Sequence, residues 1–437
     1  MIKSITALAA AAVFAYNVVA SPAPTATFPI QSGKNDWDGY NKDARTSFSI
    51  PTAASAAPTA AGIAIEGGKN YVNYSTVGGL FLQDLNTTDP STFNYACDPF
   101  KQVRTGTDTR QFTTNFGLIN QSYPGETGDV SCLTQWERFN NYVDYLNFNA
   151  AKNVVYKLLF IGRHGEGYHN AAQTYYGTPA WNCYYSELDG NATVTWADAH
   201  LDQAGISQAI ANNLFWASLI QDQGIQTPQT YYTSPLTRCL QTANYTYSNL
   251  TLPKSSPFLP TIKELFREGI STHTCDHRSN KTYIHNLFPT WKFESTFTED
   301  DEFWNGVTAE TSSAQDYRSK IALDEVFGSD KSSVVSITTH SGEGASLLRV
   351  LGHRAFSLVT GAIIPVLVRA EVVHSAPPAT TTAPWATSAW CTNGPPVTSL
   401  ADAPYDCVCS AGVSPTAFSP PVSYATATAA PSSSSAA

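Results

Sequence analysis

The chain has 437 residues, 42% of them hydrophobic and only 14% charged, with a formal net charge of −10 at pH 7. That length supplies one large domain or two medium ones, and the acidic balance leaves no electrostatic footprint for nucleic acid. It also repels phosphorylated molecules at long range, so any phosphate pocket must be built locally from a few converging Arg and His side chains.

The N-terminus carries the pattern of an export signal. Lys3 supplies a positive start, Ile5 to Phe14 is a largely apolar core, and Val18-Val19-Ala20 precedes Ser21. This predicts a signal peptide over residues 1–20, cleaved after Ala20. The apolar run is short and is followed by polar Asn17, which argues against a membrane anchor. No other stretch approaches a membrane span. Two further features agree with an exported protein. There are 8 cysteines (Cys97, Cys132, Cys183, Cys239, Cys275, Cys391, Cys407 and Cys409), an even number that suggests disulfides of open connectivity. Asn73, Asn86, Asn120, Asn191, Asn244, Asn249 and Asn280 each begin an N-x-S/T triplet. The expectation is a secreted, extracellular glycoprotein with no membrane association.

Residues 21–62 are rich in Pro, Ala, Ser and Thr and cannot bury enough apolar surface to order themselves, which predicts a flexible leader. The main domain is expected over 63–374. Its first part is an aromatic extension in which Trp136 to Leu146 has apolar residues at helical spacing. Val154 to Ile161 is a buried strand that stops at Gly162, and a helix begins near Ala171. Leu201 to Gln223 is a long helix with Ile206, Ile210, Leu214 and Ala217 on its apolar stripe, ending at Gly224. Thr230–Thr233 is a short strand, and Pro235 starts a helix that places Arg238 in its first turn. Further strands are expected at Ile262–Phe266, Ser333–Thr339 and Ile363–Val373, with a helix over Tyr317–Phe327. Strands alternating with helices predict an α/β protein, a three-layer α/β/α sandwich with a mostly parallel sheet. From residue 375 to 437 the chain returns to Ser, Thr, Pro and Ala, predicting a disordered tail with a small cysteine-stapled knot at Cys391, Cys407 and Cys409.

Three strand ends carry matching polar chemistry. The first reads Arg163-His164-Gly165-Glu166, with Asn170 shortly after. The second reads Ser234-Pro235-Leu236, with Arg238 and Gln241-Thr242-Ala243. The third reads His340-Ser341-Gly342. In an open α/β sheet the carboxyl ends of strands are where ligands bind. An Arg fork suits phosphate, and a histidine nitrogen can be a nucleophile near neutral pH.

These motifs, in this order, resemble the histidine phosphatase superfamily in its phosphoglycerate mutase-like branch. The likeness is greatest to fungal phosphomutase-like proteins, which share the GYHNAA stretch after the first motif and the His273-Thr274-Cys275-Asp276 stretch. The resemblance covers roughly Ile63 to Val373. It implies a phosphoglycerate mutase-like fold and a small phosphorylated substrate, without cofactor or metal. It makes His164 the nucleophile. Arg163, Arg238 and His340 would bind the phosphoryl oxygens, and Glu268 would be the proton donor. Asn170 is either a turn stabiliser or a further phosphate donor. Glu166 and Glu264 are alternatives for the acid, and Arg267, His273, His277 and Arg278 are candidates to extend the positive pocket. The related phytase branch carries RHGxRxP and a His-Asp pair where this chain has Glu166 and Ser341, so a phytase is disfavoured. The expected activity is a secreted phosphatase of phosphomonoesters working through a phosphohistidine. The alternatives are a phosphomutase and a non-catalytic module that binds a phosphorylated ligand.

Overall fold

Strand β2 (Val154–Arg163) lies in the middle of a seven-stranded sheet and delivers the first motif at its carboxyl end. The other strands of that sheet are β1 (Tyr71–Thr76), β3 (Thr230–Thr233), β4 (Thr261–Ile262), β5 (Lys292–Phe293), β7 (Val334–Thr339) and β8 (Ile363–Val373). They run in the order β1-β8-β2-β7-β3-β4-β5. A separate pair joins β6 (Thr308–Ala309) to β9 (Ala386–Thr387). The helices are α1 (Gln135–Phe148), α2 (Tyr168–Tyr176), α3 (Thr178–Cys183), α4 (Gln203–Gln223), α5 (Thr237–Tyr247), α6 (Lys281–Leu287), α7 (Ser312–Ser329) and α8 (Ser341–Val350).

This computed structural model describes residues 70–93, 115–126, 129–378, 382–387 and 390–395, together with Cys407 and Cys409. All belong to one compact unit within Asn35–Ala437. The expected signal peptide, the leader, Cys97 and most of the tail lie outside the described residues.

The sheet is mostly parallel, as expected: β2, β7, β3, β4 and β5 pair in parallel. β8 departs from the alternation by running antiparallel to both β2 and β1. Helices cover both faces. Phe160 packs against Trp136 of α1 and Trp216 of α4 on one side. Lys157, on the other side of the same strand, lies over Phe327 of α7. Phe116 extends the first of these cores, 5.3 Å from Phe160, so the aromatic stretch before β2 is part of the sheet's packing.

Two sequence expectations are corrected. Of Ile262–Phe266, expected as a third strand, only Ile262 pairs, in β4 (Thr261–Ile262), and Glu264–Phe266 is a 3-10 turn. The next strand out, β5, is only two residues long, so the ladder ends there. The chain then turns to bring Glu264 into a buried ion cluster. The buried face of α4 is Ile206, Ala209, Asn212, Trp216 and Leu219, while Ile210 and Leu214 are exposed. Residues four apart advance about 40° around a helix, so an i, i+4, i+8 row drifts off the core side that Ala209 and Trp216 define. The end of α4 falls at Gly224, in the left-handed conformation with φ 59°.

Part of the C-terminal segment is fastened to the domain. Cys407 is bonded to Cys183 at the end of α3, Cys391 is bonded to Cys409, and the Cys391 N–H donates to the Cys183 carbonyl at 2.8 Å. Among the described residues, no helix is long and apolar enough to cross a membrane.

Candidate active site

The parallel register places the three motifs side by side. Arg163 ends β2 opposite Thr339 of β7, and Thr233 of β3 faces Thr338, so His164, Ser234 and His340 leave adjacent strands at one edge. The His164 N–H donates to the Thr339 carbonyl at 2.9 Å, and the Gly165 N–H donates to Thr242 Oγ1 of α5 at 2.9 Å. Gly165 has no room for a side chain: a Cβ there would lie 2.5 Å from the Gly205 carbonyl oxygen. The nucleophile loop is thereby pressed against the first turn of α4, which explains the glycine after the histidine.

His164 is buried, with its ring centroid 5.1 Å from that of His340. Its Nδ1 lies 2.6 Å from the Gly165 carbonyl oxygen, a contact that only an N–H can make favourably. The proton therefore sits on Nδ1 and the Nε2 lone pair is free. Burial, followed by the charges of Arg238 and Arg163, pushes His164 well below the usual histidine range. The ring is held neutral, which is the nucleophilic form.

The donors around it are braced. Arg163 Nη1 donates to the Leu358 carbonyl at 2.9 Å, while its Nε is buried without a partner among the described residues. Arg238 is anchored by the Cys275 carbonyl at 2.6 Å, Asp276 at 3.3 Å and His340 Nδ1 at 3.3 Å. Because Arg238 Nε donates to His340 Nδ1, His340 carries its proton on Nε2, which lies 2.7 Å from Ser234 Oγ. Burial and the neighbouring Arg238 push His340 well below the usual range too.

Glu268 sits at the N-terminus of α8, immediately after His340. Its Oε1 accepts from the Gly269 and Glu343 N–H groups, both at 2.9 Å. Its Oε2 accepts from the Gly342 N–H at 3.1 Å and from Ser341 Oγ at 3.3 Å. Three backbone N–H groups and one hydroxyl therefore converge on this carboxyl. The Glu268 charge acts on both Arg163 and Arg238, which places the carboxyl beside the phosphoryl donors.

The structure brings together Arg163, His164, Arg238, Glu268 and His340. It places the other candidates differently. Glu264 is buried in ion pairs with Arg267 at 3.1 Å and Arg278 at 2.8 Å. An acid so engaged is a partner of those cations, not a proton donor to substrate. Arg267 and Arg278 do not extend the pocket, because Asp301 and Glu264 consume them. His277 stacks on Trp304 at 4.4 Å. His273 lies closer to the site, within electrostatic reach of His169. Asn170 caps α2, its Oδ1 accepting from the Gly167 N–H at 3.1 Å. Glu166 pairs with Asp202, the N-cap of α4.

Motif reading missed three contributors. Asp276 holds Arg238. Asp198 accepts from the N–H and Oγ1 of Thr237 at 2.8 and 2.7 Å, fixing the start of α5. His169 is buried beside His164. Asp276 and His169 were visible inside quoted stretches, but nothing local marks what they face.

His273, Cys275 and Asp276 offer ligand atoms within 4.8 Å of one another. Their chemistry fits a metal poorly. Asp276 is engaged by Arg238 and by Ser271 Oγ at 2.6 Å, and burial pushes the Cys275 thiol far up, away from the thiolate a metal needs.

No protein-family model matches the chain. Curated relatives do. A protein of Arthroderma benhamiae described as "Probable phosphoglycerate mutase" is 48% identical over 308 residues, 70% of this chain and 87% of that protein. "Phosphomutase-like protein 3" of Candida albicans is 39% identical over 250 residues, 56% of this chain and 75% of that protein. Among solved structures, an ecdysone phosphate phosphatase from Bombix mori aligns at 14% identity and a TM-score of 0.30, over 52% of this chain and 96% of that one. The chain belongs to the phosphoglycerate mutase-like family.

Proposed function

We propose that the protein is a secreted, metal-independent phosphatase that hydrolyses phosphomonoesters through a phosphohistidine on His164. The observation that carries this reading is the His164 ring itself, neutral, with Nδ1 held by the Gly165 carbonyl, Nε2 left as the lone pair, and the charges of Arg238 and Arg163 acting on it. In the first step the Nε2 lone pair attacks phosphorus and the bond to the leaving oxygen breaks. Glu268 gives that oxygen a proton. Arg163 and Arg238 hold the remaining oxygens, spreading the charge that develops on them, which is most of what phosphoryl transfer requires. His340, whose Nδ1 accepts from Arg238 and whose Nε2–H is given to Ser234 Oγ, holds Arg238 in place and has no N–H left for the phosphoryl group. In the second step water attacks phosphorus, its proton returns to Glu268, the P–N bond breaks and inorganic phosphate leaves.

Hydrolysis is favoured over mutase chemistry by the export signal read in the sequence, since a mutase depends on intermediates retained inside cells. The test is a panel of alkyl and aryl phosphomonoesters given to purified protein, with trapping of acid-labile phosphoenzyme. Free phosphate and a phosphoenzyme lost in His164→Ala support the proposal. Isomerisation without release points to a mutase, and binding without turnover points to a ligand-binding module. Phosphoenzyme retained in His164→Ala would overturn the mechanism. Chelators are expected to leave the rate unchanged, and mass spectrometry of the secreted protein is expected to find it beginning near Ser21.

A further inference from the structure

The mechanism above leaves one buried imidazole without a task. His169 stands in the first turn of α2, only 8% exposed, with its ring centroid 5.3 Å from that of His164. Its Nδ1 is buried and has no hydrogen-bond partner among the described residues. A buried N–H without a partner is rarer and costlier than a buried lone pair, so the proton sits on Nε2 and the unpartnered Nδ1 carries the lone pair.

The local backbone is shaped to admit this ring. Gly167 lies against its Nδ1 edge: a Cβ at Gly167 would come 2.8 Å from Nδ1 and 3.1 Å from the His200 carbonyl oxygen. Any other residue at 167 would displace the histidine. Asn170 then fixes the same turn by accepting from the Gly167 N–H at 3.1 Å. Gly167 lies against the Nδ1–Cε1 edge, and Nε2, unlike Nδ1, is not among the buried atoms without a partner. The charged groups that bear on His169 are Arg238, the stronger, and Arg163, the two arginines of the candidate pocket.

We propose that His169 is a further phosphoryl-contacting residue, its Nε2–H donating to an oxygen of the bound phosphate or phosphoryl group alongside Arg163 and Arg238. This rests on the site binding a phosphoryl group at all, and it goes further by assigning a second imidazole, beside that of His164, to that group. Burial and the two arginines keep the free ring neutral and well below the usual histidine range. It therefore adds a hydrogen bond without adding a cation to an already positive pocket. The short sequence Gly-Tyr-His-Asn then has a complete physical rationale. Gly167 makes room, His169 contacts the ligand and Asn170 holds the turn.

The test measures orthovanadate affinity, because vanadate occupies the phosphoryl position without turnover. Three variants are compared with the wild type: His169→Phe, which keeps the ring and removes both nitrogens; His169→Gln, whose amide nitrogen reaches about where Nε2 stood; and His169→Asn, whose amide reaches about where Nδ1 stood. A lost hydrogen bond to a charged ligand weakens binding by roughly tenfold to a hundredfold. The expected result is a loss of that size for Phe and Asn, with Gln close to wild type, at unchanged melting temperature. Vanadate affinity in His169→Phe within twofold of wild type overturns the proposal. If His169→Phe does not fold, the Gln and Asn variants decide: equal affinities overturn it, and a Gln advantage sustains it. Wild-type protein that binds no vanadate would instead sink the phosphatase proposal, so the two failures are distinguishable.

Discussion

Glu264 and Glu268 are four residues apart and flank the same arginine, yet they belong to two regions with opposite character. Glu264 lies in a closed ion cluster. Arg267 reaches it at 3.1 Å and grips Asp301 at 2.6 and 2.7 Å, while Arg278 reaches it at 2.8 Å and donates to the carbonyls of Thr298, Glu299 and Asp300. Each charge there faces an opposite charge of the protein itself. Glu268 lies in the candidate phosphoryl pocket, where it is held by the N–H groups of Gly269, Gly342 and Glu343 and by Ser341 Oγ, and where the histidines are held neutral by burial and by Arg238 and Arg163. The two regions use the same residue types and similar burial. They differ in what meets the carboxylate: Glu264 is closed off by two guanidinium groups, and Glu268 is held by N–H groups and a hydroxyl.

The largest expected effect sharpens this contrast at its two glutamates. Glu268→Gln removes the transferable proton and is expected to slow hydrolysis of alkyl phosphates on the order of 100- to 10,000-fold. Nitrophenyl phosphate, whose leaving group departs as a stable phenolate, is expected to lose much less. Glu264→Gln is expected to leave the ratio of alkyl to aryl rates unchanged, since that carboxylate faces only Arg267 and Arg278. Initial rates on the two ester types measure this. Equal losses for both esters in Glu268→Gln would give Glu268 a structural role and return Glu166 to consideration.

The next effect falls on stability. Asp301→Ala would strand Arg267 as an uncompensated buried cation, and breaking a buried pair from one side costs about 3–5 kcal/mol. The contact is fully enclosed, with both side chains at 0% exposure. Chemical denaturation is the measurement. A loss comparable to that of a surface ion pair, roughly 0–1 kcal/mol, would mean the cluster relaxes or hydrates and is not closed.

The sequence made the pocket more legible than the cluster, for a physical reason. The candidate catalytic groups of the three motifs sit at strand ends, where a buried apolar run stops abruptly, and three such stops were visible in Arg163-His164, Ser234 to Arg238 and His340. The β3 and β8 ranges, Thr230–Thr233 and Ile363–Val373, were readable for the same reason. The direction of β8 was not, because a strand buried on both faces has the same composition whichever way it runs. The ion cluster is assembled across distance: Asp301 is 34 residues beyond Arg267. Arg267 and Arg278 therefore looked like spare cations near a phosphate site, and Glu264 looked like a spare acid. His169 and Asp276 were hidden differently, inside stretches already quoted, because what a side chain faces is decided by packing.

The smallest expected effect compares one aspartate from each region by its response to pH. Asp202 caps α4, accepting from the Gly205 N–H at 2.8 Å, and faces Glu166 with no cation of its own. Burial, and then the Glu166 carboxyl, push Asp202 up to about 7 against the pull of the Gly205 N–H, so the pair shares a proton near neutrality. Asp301 also suffers the cost of burial. The charge and hydrogen bonds of Arg267 and the N–H groups of Arg278 and Phe303 outweigh it, holding Asp301 well below the usual carboxylate range. The signs are therefore opposite. A raised acid binds its proton more tightly when folded, so the Asp202 contribution is full below the ordinary aspartate value of about 3.9 and is lost as pH rises towards 7. A depressed acid contributes stability above its ordinary value and loses it as pH falls. Asp202→Asn keeps the cap, since asparagine serves that position equally well, and removes the titration. Unfolding free energies of wild type and Asp202→Asn, measured between pH 5 and 8, are expected to diverge, with the wild type losing ground as pH rises. Parallel curves would mean that Asp202 is ionised across this range and that the Glu166 pair holds no shared proton.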